Sequence, residues 1–110
     1  KISQKVVFMD SVQRRALHVA AVFACNFTNH LYALASGILQ KNELDFDLLR
    51  PLIRETAEKV QTFLPEEVQT GPAVRGDQQT MNKHLELLQD NPELLELYRK
   101  LSQSIVNLHK

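Results

Sequence analysis

His18, Asn26 and Asn29 stand within the apolar run "ALHVAAVFACNFTNHLYALASGIL", residues 16–39, and are the side chains best suited to handle a proton or orient a polar substrate atom. On a regular helix with His18 at zero, Ser36 falls at about 0°, Asn29 near 20°, Arg15 near 60° and Asn26 near 80°. These residues form a polar seam along an apolar rod, with His30 at its margin. Two roles are open to the seam. Its groups could satisfy one another across a helix–helix contact, as buried polar groups must. Alternatively they line a cleft, with His18 exchanging a proton and Asn26 or Asn29 holding a substrate oxygen.

A second candidate is "TGPAVRGD", Thr70 to Asp77, which holds two of the three glycines and one of the four prolines. Gly71 before Pro72 permits a backbone that a side chain would resist, and Gly76 gives freedom just before a helix that Asp77 can cap. The stretch serves either as a connector with Arg75 in a salt bridge, or as a ligand-facing turn in which Arg75 and backbone N–H groups meet an anionic or carbonyl group. It is not a phosphate loop, because GxxxxGK[ST] is absent.

The elements that must position these residues are helices. Asp10 and Ser11 precede a helical run to about Gln40, roughly 30 residues, which makes it the expected buried spine of a single compact domain. A second helix, capped by Asp45 or Asp47, runs to about Leu64, where Pro65 stops it. Its apolar positions Leu49, Leu52, Ile53, Ala57, Val60 and Phe63 recur at helical spacing and predict one buried face. Met81, Leu85 and Leu88 mark a third helix. Asn91 and Pro92 open a fourth, with Leu94, Tyr98, Leu101, Ile105 and Leu108 on one face. The expected fold is therefore all-α, a helical bundle built around one long central helix, over residues 10–110. Residues 1–9, with Val6, Val7 and Phe8, read as a linker or lead-in strand. Because the chain opens on Lys1, the expectation is the tail of a longer protein.

Composition narrows the function. Thirteen basic and thirteen acidic residues cancel within 110 residues, so a nucleic-acid or anionic-membrane surface is not expected, and a helix-turn-helix DNA binder is disfavoured. The long apolar run carries six polar interruptions, too many for a membrane span. A lone Cys25 excludes an internal disulfide and fits a reducing, cytoplasmic setting. On the buried spine it is not expected to act as a nucleophile. His84 and His109 read as surface or core-edge residues, and no metal-ligand spacing occurs.

Taken in order, "HVAAVFACNFTNHL", "TGPAVRGD", "HLELL" and "NPELLELYRKLS" resemble the C-terminal helical domain, formally of unknown function, that follows a Rossmann-like domain in a group of bacterial oxidoreductases. These are similar in organisation to pyrroline-5-carboxylate reductase, ketopantoate reductase and 6-phosphogluconate dehydrogenase. The resemblance implies a fold like the 6-phosphogluconate dehydrogenase C-terminal domain. It further implies a partner N-terminal Rossmann-like domain that binds NADP, a small-molecule substrate, and helices that close the substrate cleft and build a homodimer. Carried onto this chain, the family's motif positions are His18, Asn26, Thr70, Gly71, Pro72, Arg75, Gly76 and Asp77; with Asn29 from the seam, the candidate catalytic residues are His18, Asn26 and Arg75, and the candidate substrate-binding residues Asn29, Thr70, Gly71, Gly76 and Asp77. Seam and turn would both face the missing N-terminal domain. The long helix lacks the interior lysine that several relatives pair with an asparagine, so His18 or Arg75 would supply the proton or charge. The fingerprint G-x-G-x-x-G is absent, so NADP would be held mainly elsewhere. The rival expectation is a non-catalytic helical interaction or dimerisation module.

Overall fold

The computed structural model describes residues 8–110, and among these the regular structure is helical, with no strand. The proposed lead-in strand at Val6 and Val7 lies outside the described residues. The chain clusters into two compact units, a first ending at Leu52 and a second from Ile53 to Lys110, where composition alone suggested one.

The first unit is dominated by a rod. Helix α1, Ser11–Ala21, passes without a break through a π-helical segment, Val22–Phe27, into α2, Thr28–Lys41. A capping box fixes its start. The Asp10 carboxylate accepts from the Gln13 N–H at 2.7 Å, while the Gln13 side-chain oxygen accepts from the Asp10 N–H at 3.1 Å. After α2 the chain turns through a 3-10 segment, Phe46–Leu48, capped by Asp45, which accepts from the Asp47 N–H at 2.8 Å. Helix α3, Arg50–Thr62, follows and crosses into the second unit.

The expectation of a buried spine is not met. No residue of α1, of the π segment or of α2 is buried, and Phe23, Leu17 and Phe27 are 64%, 57% and 50% exposed. Cys25 is exposed as well, against the buried position expected for it. Nor does α3 bury a face: its Leu52 and Val60 stay exposed, as does Phe63 just beyond it. The physical reason is a shortage of cover. Helical periodicity shows which face wants burial, but something must lie against that face to remove it from water.

In the second unit a 3-10 turn, Pro65–Glu67, leads to a short helix α4, Pro72–Arg75, then α5, Gln78–Leu87, and α6, Pro92–Leu108. The buried apolar residues, Ala73, Met81 and Leu88, come from α4 and α5 and the residue that ends α5. Helix α4 packs on both α5 and α6. Asn91 caps α6, accepting from the Leu94 N–H at 3.2 Å, with Pro92 at the first helical position.

Candidate functional site

The π segment changes how the rod presents its polar residues. A π turn takes up one more residue than an α turn, so passage through Val22–Phe27 retards the helix by about one residue step, about 100°. Asn26, near the end of the segment, loses most of that angle and comes from about 80° to within roughly 20° of His18. His18, Val22 and Asn26 thus lie in a row. Asn29 and Ser36, beyond the segment, swing about 100° away. One seam on a uniform wheel becomes two faces. The segment carries its own i−5 contact, since the Thr28 hydroxyl donates to the Phe23 carbonyl at 3.2 Å. Phe23 and Phe27 meet edge to face, with centroids 5.0 Å apart.

His18 and Asn26 are both exposed. Asn29 lines a cavity of about 220 Å³ with Tyr32, Ala33, Ser36 and Phe46. Four of these five come from one face of α2; Phe46 arrives from the 3-10 turn.

In the second unit the turn has the backbone expected of it. Gly71 has φ of 105° immediately before Pro72, and Gly76 has φ of 69° where α4 ends. Asp77 caps α5 as its position suggested: its carboxylate accepts from the Thr80 N–H at 3.1 Å and from the Thr80 hydroxyl at 2.8 Å. The Thr80 hydroxyl and backbone bonds, with a smaller contribution from the Arg75 charge, hold the Asp77 carboxyl below its ordinary value. Arg75 reaches the same carboxylate at 3.7 Å, while its side chain stays 59% exposed. The Gly76 and Asp77 N–H groups are already engaged, donating to the Ala73 and Pro72 carbonyls at 3.2 and 2.9 Å. The connector role is therefore met within the turn, while the Arg75 guanidinium, 59% exposed, can also reach outward. Thr70 is exposed and Gly71 half-buried beside it.

Sequence reasoning left two histidines without partners that the structure supplies. His84 Nδ1 and the Tyr98 hydroxyl are hydrogen-bonded at 2.7 Å, joining α5 to α6, and the rings meet edge to face at 5.7 Å. Burial pushes the Tyr98 hydroxyl above its ordinary value. His109 Nδ1 lies 2.9 Å from the Ile105 carbonyl and its Nε2 3.1 Å from the Glu66 carbonyl, tying the end of α6 to the 3-10 turn. Neither pairing follows from spacing, since 14 and 43 residues separate the partners across the turns. A second cavity, about 460 Å³, lies along α5 and α6, with Met81, Leu85 and Val106 among its apolar walls. Among the described residues no group of His, Cys, Asp and Glu is placed to hold a metal ion, and no helix is long and apolar enough to cross a membrane.

Comparison with known proteins places the chain. No curated protein matches it. A solved structure titled "putative NADP oxidoreductase BF3122 from Bacteroides fragilis" is similar at 51% sequence identity with a TM-score of 0.89. The likeness covers 94% of this chain and 40% of that one, so the chain spans less than half of the relative's length. The family described as domain of unknown function DUF2520 matches residues 1–105, and the chain belongs to it.

Proposed function

We propose that the chain is the C-terminal, substrate-closing and dimerisation domain of an NAD(P)-dependent oxidoreductase of the cytoplasm. The observation that carries the reading is the Bacteroides fragilis relative, which matches nearly all of this chain with two-fifths of its own and is named for NADP. The remaining part of the parent is assigned the Rossmann-like domain that binds most of the cofactor. This chain does not fit the whole dinucleotide. It lacks the G-x-G-x-x-G turn, and the Gly76 and Asp77 backbone donors that follow helix α4 are engaged internally. Bound NADP would supply hydride chemistry, while the residues here hold and close over a small-molecule substrate.

His18 and Asn26 are the proposed proton-handling and orienting groups, on the shared face of the rod. Arg75 supplies charge, and Asn29, Thr70, Gly71, Gly76 and Asp77 are substrate-side candidates. The exposed apolar side chains of the rod, Leu17, Phe23 and Phe27 among them, support a homodimer in which a second copy covers them. Calorimetric titration of NADPH into the full-length parent, with this chain alone as control, tests the reading. Binding to the parent alone is expected; binding to neither turns the assignment toward a non-catalytic interaction module. Separate His18→Ala and Arg75→Ala variants of the parent then ask for lost turnover with an unchanged melting temperature.

A further inference from the structure

The cavity of the first unit is more specific than its size suggests. Asn29, Tyr32, Ala33 and Ser36 are spaced i, i+3, i+4 and i+7 within the regular part of the rod, so they share one face of α2. Phe46 adds a wall to this open hollow from the turn after α2. Asp45 caps its turn, Asp47 hydrogen-bonds Arg50, and the Arg50 guanidinium lies over the Phe46 ring at 5.1 Å from the centroid.

The lining dictates what fits. Asn29 offers both a donor and an acceptor, and the Tyr32 and Ser36 hydroxyls each offer the same pair of roles, yet none of the three carries a charge. Among the described residues their side chains make no hydrogen bond to the protein, so these roles are open to a ligand. Phe46 supplies an apolar wall, and the small Ala33 leaves room among the polar groups on the shared face. At about 220 Å³ the site is an open hollow smaller than the roughly 300–1,000 Å³ of drug-sized sites, with room for one ring against its walls.

We infer that this pocket is a binding site for a neutral planar ring bearing an amide or hydroxyl edge, with the ring against Phe46 and the edge on Asn29 and Ser36. The inference deepens the reductase reading and rests on it for its biological setting, because two sources of such a ring exist there: the carboxamide-bearing ring of the cofactor, or a ring of the substrate. The pocket itself is tested without either assumption. Free nicotinamide is titrated into the full-length parent carrying labelled alanine methyl groups. A saturable shift of the Ala33 methyl is expected, with affinity reduced at least tenfold by Asn29→Ala and by Phe46→Leu. Asn29 is exposed, so its replacement leaves the fold standing even where a change at Phe46 disturbs the turn. No shift at Ala33 up to the solubility limit, or a shift indifferent to Asn29→Ala, overturns the inference.

A second pair of titrations identifies the source. NADPH is compared with 2′-phospho-ADP-ribose, which lacks the ring. If the wild-type preference for NADPH disappears in Asn29→Ala, the pocket takes the cofactor's ring; if it persists while nicotinamide still shifts Ala33, the pocket takes the substrate's. A parent that binds no NADPH defeats the reductase reading, and the nicotinamide titration still decides the pocket.

Discussion

In the second unit Ala73, Met81 and Leu88 are buried and α4 rests on two neighbouring helices; in the first, no residue of α1 or α2 is buried, although both helices carry large apolar side chains. The second unit fastens its segments with side chains, through Asp77 to Thr80, Asn91 to Leu94, His84 to Tyr98 and His109 to Glu66. The rod has a capping box and then a long exposed surface. This difference separates what is folded by its own contacts from what needs cover, and apolar surface left bare on a helix marks the place for a partner.

The sharpest way to break the comparison is to charge the rod. Phe23→Asp with Phe27→Asp in the full-length parent removes two aromatic groups whose burial contributes about 1.5–3 kcal/mol each. At tenfold per 1.4 kcal/mol, the dissociation constant of the proposed homodimer rises by about two orders of magnitude or more. Sedimentation equilibrium reads this directly, and an unchanged dimer would mean that a second copy does not cover these rings.

Next comes the core of the second unit. Leu88→Ala is expected to cost about 2–4 kcal/mol in urea denaturation, through lost transfer energy and the cavity left behind. Leu17→Ala on the rod, measured on this chain alone, should change stability by less than about 0.5 kcal/mol, because a side chain 57% exposed has little packing to lose. Equal losses at the two sites would erase the distinction between the units.

The same distinction explains what the sequence could disclose. Asp10, Asp77 and Asn91 announce their helices because a cap acts on a backbone two or three residues away, and Gly71–Pro72 announces its turn for the same local reason. Burial is not local. The periodicity of Leu52, Ile53, Val60 and Phe63 identified a face but could not say whether anything lies against it. Asn29 was legible as a site candidate from its place in the seam, and Ser36 shared that seam. Phe46 was not, because only the fold of the turn after α2 brings it there. The π segment was invisible to a wheel drawn at a constant angle, and with it the separation of His18 and Asn26 from Asn29 and Ser36.

A smaller effect is expected at Gly76. Its φ of 69° lies where side chains are resisted, and no atom stands within 4 Å of an added Cβ, so Gly76→Ala meets conformational strain alone, about 1–2 kcal/mol. Thermal melts of the parent should show that loss without any change in NADPH titration.

Smaller again is the acid response of Asp77. Its folded value is lowered, so its contribution to stability is fully present above its ordinary value of 3.8 and is lost as pH falls through the lowered folded value. Asp77→Asn keeps the capping acceptor and removes the charge. The gap between the urea midpoints of wild type and variant should therefore be steady above pH 3.8 and close as pH falls from there through the lowered folded value. Parallel curves through that range would show that the hydrogen bonds to Thr80 do not discriminate between the two forms of the carboxyl group.

The smallest expected effect falls at the π segment, where it is also the most instructive. Deleting Ala24 removes the extra residue that the π turn accommodates, so the backbone ladder can close in the ordinary i to i−4 pattern. Removing that residue leaves α2 facing as before relative to α1, because the turn had already absorbed one residue step. Asn26 then stands seven residues after His18, about 20° away on a regular helix, so the row it forms with His18 survives. Near-native helicity and melting temperature are expected for the deletion. Inserting an alanine at the same place, by contrast, turns α2 by about 100° and should disrupt whatever covers the rod. If deletion and insertion are equally damaging, the segment's local geometry, and not the register it sets, is what the rod depends on.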